Sequence, residues 1–155
     1  MTGIVGLQVV TPVMGLAMVA ATLRGLLGGR RAMEHGVEGG ATAPVGEIDV
    51  GNYWADVPRA ALRFVLPLCL VWSALLTWQG VPATLAAGPV AAPIEPTAEL
   101  KEQKIPLGPV APMVAIKQLG SNGGGWYGPN SSVPLENPTP LSNFLETLAI
   151  CLIPV

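Results

Sequence analysis

The residues of this chain whose types and spacing could do chemistry are Gly120-Ser121-Asn122-Gly123-Gly124-Gly125. A phosphate-cradling loop needs GxxxxGK[ST], and here Trp126-Tyr127 stand in place of the Lys and the hydroxyl residue. A dinucleotide fingerprint needs a strand before it and a helix after it. Here an apolar helical run precedes, and Gly128-Pro129-Asn130 follows. The remaining chemistry is replacement of an ion's water shell. A potassium filter does this with stacked backbone carbonyls, and glycine lets successive carbonyls point to one axis. Ser121 adds a hydroxyl oxygen and Asn122 a side-chain carbonyl. No carboxylate sits in the loop, which suits a weakly held monovalent cation better than calcium. The expected potassium ligands are therefore Gly120, Ser121, Asn122, Gly123 and Gly124. A flexible linker is the bland alternative. Against it stands the position of the run, between a half-length apolar segment and a longer one. Backbone at membrane depth must line a cavity or pack on protein.

The elements that must position this loop follow from hydropathy. Of the 155 residues 50% are hydrophobic and 12% charged, with 19 glycines and 16 prolines. A soluble domain carries roughly a quarter charged residues. The mean hydropathy is +0.51. The net charge of -2 excludes a basic nucleic-acid binder and a charge-rich disordered tail. One His and two Cys exclude a His/Cys zinc cluster and a disulfide framework. High apolar content with many Gly and Pro suits broken membrane helices. Ile4 to Leu23 carries no charge and reads as one span, closed by Arg24 and then Gly28-Gly29-Arg30-Arg31. No basic stretch precedes it, which argues against a signal peptide. A second span is expected over 60–79, with Trp78 at an interface and a kink at Pro67. The run 110–119 reaches only ~15 Å as a helix and cannot cross, so with the glycine loop it reads as re-entrant. A last helix is expected to be capped by Asn137 with Pro138 at its first position. It stops inside its apolar run, the expectation for a truncated chain.

Five of the eight basic residues (Arg24, Arg30, Arg31, Arg59, Arg63) border or sit in the connector before the second span. The positive-inside rule makes that connector cytoplasmic and the 81–108 connector external.

Several stretches then point to a family: Gly108-Pro109-Val110, Ala115 through Gly125, Asn130-Ser131-Ser132, Glu136-Asn137-Pro138-Thr139, Asn143-Phe144 and Leu148-Ala149-Ile150. Together they resemble the potassium-binding A subunit of the bacterial Kdp-type potassium-transporting ATPase. The likeness is dense from about Ile105 to Val155, looser from Pro58 to Gln79, and weak before that. The family usually has Thr where this chain has Ser121, and Phe-Phe where it has Trp126-Tyr127. The resemblance implies an all-α polytopic membrane protein related to potassium channels, built from repeats of span, pore helix, filter and span. On that pattern 1–27 holds the last span of a preceding repeat and 28–59 is a cytoplasmic connector. The second repeat is 60–155: span 60–79, outer connector 81–108, pore helix 110–119, filter 120–125 and a truncated span 139–155. The implied function is potassium binding and translocation in an ATP-driven, high-affinity import complex of the bacterial inner membrane. The implied partners are a P-type ATP-hydrolysing B subunit, a C subunit and a small single-span subunit, in a lipid bilayer and without nucleic acid. Potassium is the cargo, and no ATP site or catalytic residue is expected in this chain. A passive potassium channel or symporter subunit is the rival function, and a structural membrane anchor a third.

Outside the loop, Lys117 reads either as a fixed charge tuning the outer vestibule or partnering a subunit contact, or as a lysine snorkelling near the interface. Glu146 reads either as a functional intramembrane carboxylate or as one in the wetter, outer part of its helix. Cys69 and Cys151 read as small hydrophobes. His35 has no second ligand beside it and is assigned no role.

Overall fold

The computed structural model describes residues 2–38, 50–95 and 101–153. Most of them are helical. Helix α1 covers Thr2–Glu38, α2 Tyr53–Ala60, α3 Leu66–Trp78, α4 Val110–Leu119 and α5 Pro140–Leu152. A π-helical turn, Ala61–Val65, joins α2 to α3 into one rod. Two short strands, β1 (Val90–Ala91) and β2 (Gln103–Lys104), pair antiparallel with Val90 opposite Lys104. Among the described residues two stretches are long and apolar enough to cross a membrane, Gly6–Gly28 within α1 and the rod Tyr53–Trp78. The second starts well before position 60, because Asn52 caps it: its side chain accepts from the Ala55 N–H at 3.2 Å. The first ends at Gly28, where the sequence closes it, although the helix itself continues to Glu38. The cytoplasmic connector expected over 28–59 thus begins and ends in helix, while its middle, 39–49, lies outside the described residues.

Proline explains the irregular turns. Pro67 has no N–H, and its ring crowds the carbonyl four residues back. The π turn just ahead of it adds a residue, and the Leu66 N–H reaches the Ala61 carbonyl. The kink expected at Pro67 is thus taken up as a π turn. In α1, Pro12 leaves the Gln8 carbonyl without its usual helical donor.

Helix α4 is the centre of the packing. Nine of its residues are buried: Pro112 alone is not. Helices α3, α5 and α1 all pack on it. Val110, Val114 and Leu119 pack with Trp72, Leu76 and Ala149, and Ile116 packs with Val13 and Val65. The Trp72 indole N–H donates to the Leu145 carbonyl at 2.9 Å, which ties α3 to α5. The Ala111 N–H donates to the Pro82 carbonyl at 2.9 Å and seats the start of α4. At the other end of α1, Arg24 pairs with Asp56 of α2, and Arg59 approaches the same carboxylate at 3.4 Å.

Helix α5 begins later than the sequence suggests. Thr139 is its cap and Pro140 its first residue. The Ser142 N–H donates to Thr139 Oγ1 at 2.9 Å, and the Thr139 N–H to Ser142 Oγ at 3.0 Å. This reciprocal box satisfies two donors at once, so it prevails over Asn137-Pro138. Asn137 instead accepts from Ser142 Oγ at 2.6 Å and steadies the box from outside.

Candidate functional site

The glycine loop leaves the C-terminus of α4. Gly120 ends the helix, and its N–H donates to the Ile116 carbonyl at 2.9 Å. The Ser121 N–H donates to the Gln118 carbonyl at 3.1 Å, and the Asn122 N–H to the Lys117 carbonyl at 3.4 Å. The sign of φ then alternates. It is positive at Ser121 (45°) and Gly123 (74°), and not at Asn122 or Gly124. A positive φ favours glycine, and a serine there is uncommon. A helix C-terminus carries the negative end of the helix dipole, so the loop sits where a cation is favoured.

Asn122 anchors the loop to α1. Its side-chain N–H donates to the Gln8 carbonyl at 3.0 Å, the carbonyl that Pro12 left free. The Gln8 carboxamide is itself buried, and neither of its polar atoms has a partner among the described residues. It lies against Gly124, where any Cβ would collide with its nitrogen. A Cβ on Gly125 would collide with the Gly128 carbonyl. All five expected ligands thus lie in one short loop, with Gly120, Asn122 and Gly124 half-buried and Ser121 and Gly123 exposed.

Behind the loop lies a polar cluster that sequence reasoning left unassigned. Lys117 and Glu136 are both 0% exposed, with Nζ 3.8 Å from Oε2. The Lys117 ammonium also donates to Ser131 Oγ. Glu136 Oε1 accepts from the Trp126 N–H and, at 3.2 Å, from the Tyr127 N–H. Gln118 donates to Glu146 Oε2 at 2.5 Å and to Ser131 Oγ at 3.3 Å. Burial, and after it the nearby Glu136 carboxylate, push the Tyr127 hydroxyl above its ordinary pKa. Ser131 is delivered by a tight turn in which Asn130 and Ser131 both have φ of 54°.

Lys117 therefore does not snorkel, and Glu146, 2% exposed, does not sit in a wet part of its helix. A buried charge left alone costs several kcal/mol, and breaking a buried pair ~3–5 kcal/mol. Here the carboxylate of Glu136, in the segment before α5, meets the ammonium of α4, while Glu146 of α5 accepts from Gln118 of α4. The signal for this was present in the sequence. Few charges occur in so apolar a chain, and opposite charges inside it should find one another.

A mostly helical chain with two helices suited to crossing a membrane is the class that the fold defines. The chain belongs to the potassium-transporting ATPase A subunit family, whose description matches residues 1–155. It is 44% identical over 158 residues to a potassium-transporting ATPase potassium-binding subunit of Pseudomonas entomophila, covering all of this chain. It is 44% identical over 142 residues to the protein of that name in Anaeromyxobacter dehalogenans, covering 90% of this chain and 22% of that one. The figure is 49% over 110 residues for the one in Herpetosiphon aurantiacus, covering 68% of this chain and 19% of that one. The chain spans 24% of the length of the Pseudomonas relative.

Proposed function

We propose that this chain is part of the potassium-binding and translocating subunit of an ATP-driven, high-affinity potassium importer, and that Gly120 to Gly124 are its ion filter. The observation that carries the reading is the loop backbone: φ alternates in sign over Ser121–Gly124 at the C-terminus of a buried, half-length helix. Residues of alternating φ sign can turn their carbonyls to one side, and convergent backbone carbonyls are what ion dehydration requires. The names of the relatives include both an ATPase and potassium binding, which favours a pump over a passive channel or symporter. On this reading α4 is a pore helix, and 60–155 is one channel-like repeat of span, pore helix, filter and span in a multi-pass inner-membrane protein. ATP is hydrolysed on a separate P-type subunit. A C subunit and a small single-span subunit complete the complex, and this chain supplies no catalytic group.

Gly123 gives the test. Its φ of 74° disfavours any side chain, and a Cβ would approach Asn130 Oδ1 at 3.2 Å. Roughly 1.4 kcal/mol is a factor of ten in relative affinity, so a small carbonyl displacement changes ion preference. Gly123→Ser in the full-length protein is expected to raise the potassium half-saturation about tenfold and to loosen preference against rubidium and sodium. The readout is ion-stimulated ATPase activity of the purified complex. An unchanged half-saturation and ion preference would overturn the filter assignment.

A further inference from the structure

We infer that Glu136 is a positioning residue for the ion-binding loop, held in place by Lys117. The inference deepens the filter reading and rests on it. Entrance and exit of the loop trace to the same turn of α4. At the entrance, the Asn122 N–H bonds the Lys117 carbonyl at 3.4 Å. At the exit, the Trp126 and Tyr127 N–H groups both donate to Glu136 Oε1. The other carboxylate oxygen lies 3.8 Å from the Lys117 ammonium and has no hydrogen-bond partner among the described residues. The ammonium is in turn held by Ser131 Oγ. Lys117 thus binds one end of the loop with its backbone and the other through Glu136.

This frame explains why two charges sit in a core where apolar side chains would pack as well. Hydrogen bonds to an ionised acceptor are roughly twice as strong as neutral ones. One carboxylate oxygen fixes two successive N–H groups, so the peptide planes of Trp126 and Tyr127 cannot rotate independently. The carbonyls just upstream inherit that restraint. Neither Glu136 nor Lys117 touches the ion on this reading. Each acts through the backbone that does.

The test compares Glu136→Ala, which removes the acceptor, with Glu136→Gln, which keeps an acceptor oxygen and removes the charge. Both are made in the full-length protein and purified with its complex. Potassium-, rubidium- and sodium-stimulated ATPase activity is measured, beside assembly by size exclusion. Glu136→Ala is expected to raise the potassium half-saturation about tenfold and to narrow the preference for potassium over rubidium. The maximal rate at saturating potassium should stay within about twofold of the parent. Glu136→Gln should fall between parent and Ala variant, because its carbonyl oxygen rescues the two N–H groups. A merely structural role gives a different pattern: lower yield or a uniformly lower rate for every ion, with half-saturation and preference unmoved. That pattern, or loss of assembly in both variants, overturns the proposal. Gly123→Ser is run in parallel. If it shifts ion preference while the Glu136 variants do not, the positioning role fails alone. If none of the three shifts it, the filter reading fails with it.

Discussion

Gly123, Gly124 and Gly125 are adjacent, and each is glycine for a different reason. Gly123 has φ of 74°. Gly124 faces the far end of the Gln8 side chain, which can swing aside. Gly125 faces the Gly128 carbonyl and, at 3.1 Å, the Glu136 carboxylate, and neither is a flexible tip. A Cβ at Gly125 must therefore move backbone. Gly125→Ala is expected to destabilise the full-length protein by ~1–3 kcal/mol. The check is the thermal midpoint of the purified protein in detergent, with Gly124→Ala as the milder comparison. A larger fall for Gly124→Ala than for Gly125→Ala would contradict this packing. In the sequence the three are one undifferentiated run, because a glycine's neighbours in space are set by residues far away in the chain.

The helices were legible in the sequence to different degrees. The core of α1, most of α3 and all of α4 follow from apolar runs and their lengths. The start of the second rod was misjudged because Asp56 and Arg59 look like connector residues, yet Asp56 is buried against Arg24 of α1. The cap of α5 was misplaced because two X-Pro steps look equivalent until Ser142 chooses Thr139. Burial of α4 on nearly every side left no polar face to read its orientation from. Topology is a property of these elements and can be checked on them. Basic residues gather at the end where α1 and α2 meet, so that end should be cytoplasmic and the β1–β2 connector external. Single cysteines at Gly39 and Ala91, in an otherwise cysteine-free full-length protein, should be distinguishable by an impermeant thiol reagent in intact cells. Labelling at Ala91 and protection at Gly39 are expected. The reverse pattern would invert the topology.

On the scale of the whole molecule, the chain spans 24% of the length of the Pseudomonas relative. A filter of the proposed kind needs several loops around one axis. Gln8, Asn122 Oδ1 and Glu146 Oε1 are buried polar groups without hydrogen-bond partners among the described residues. Each such group costs ~1–3 kcal/mol when left unpaired. Residues 1–155 alone, reconstituted in liposomes, are therefore expected to show no potassium-selective flux, while the full-length complex does. Selective flux through this segment by itself would be incompatible with a filter shared among several loops.

Composition and local pattern were enough to reveal a membrane-type helical chain and a half-length helix, and they single out the glycine loop that is proposed as the filter. Those properties are local: charge content, run length and the conformational range of glycine do not depend on the rest of the fold. Tertiary structure alone decided that Asn122 would take the carbonyl freed by Pro12, and which carboxylate would face Lys117 in the core. The first contact joins segments far apart in sequence, and both exist because removing a polar group from water is tolerable only where a partner is waiting.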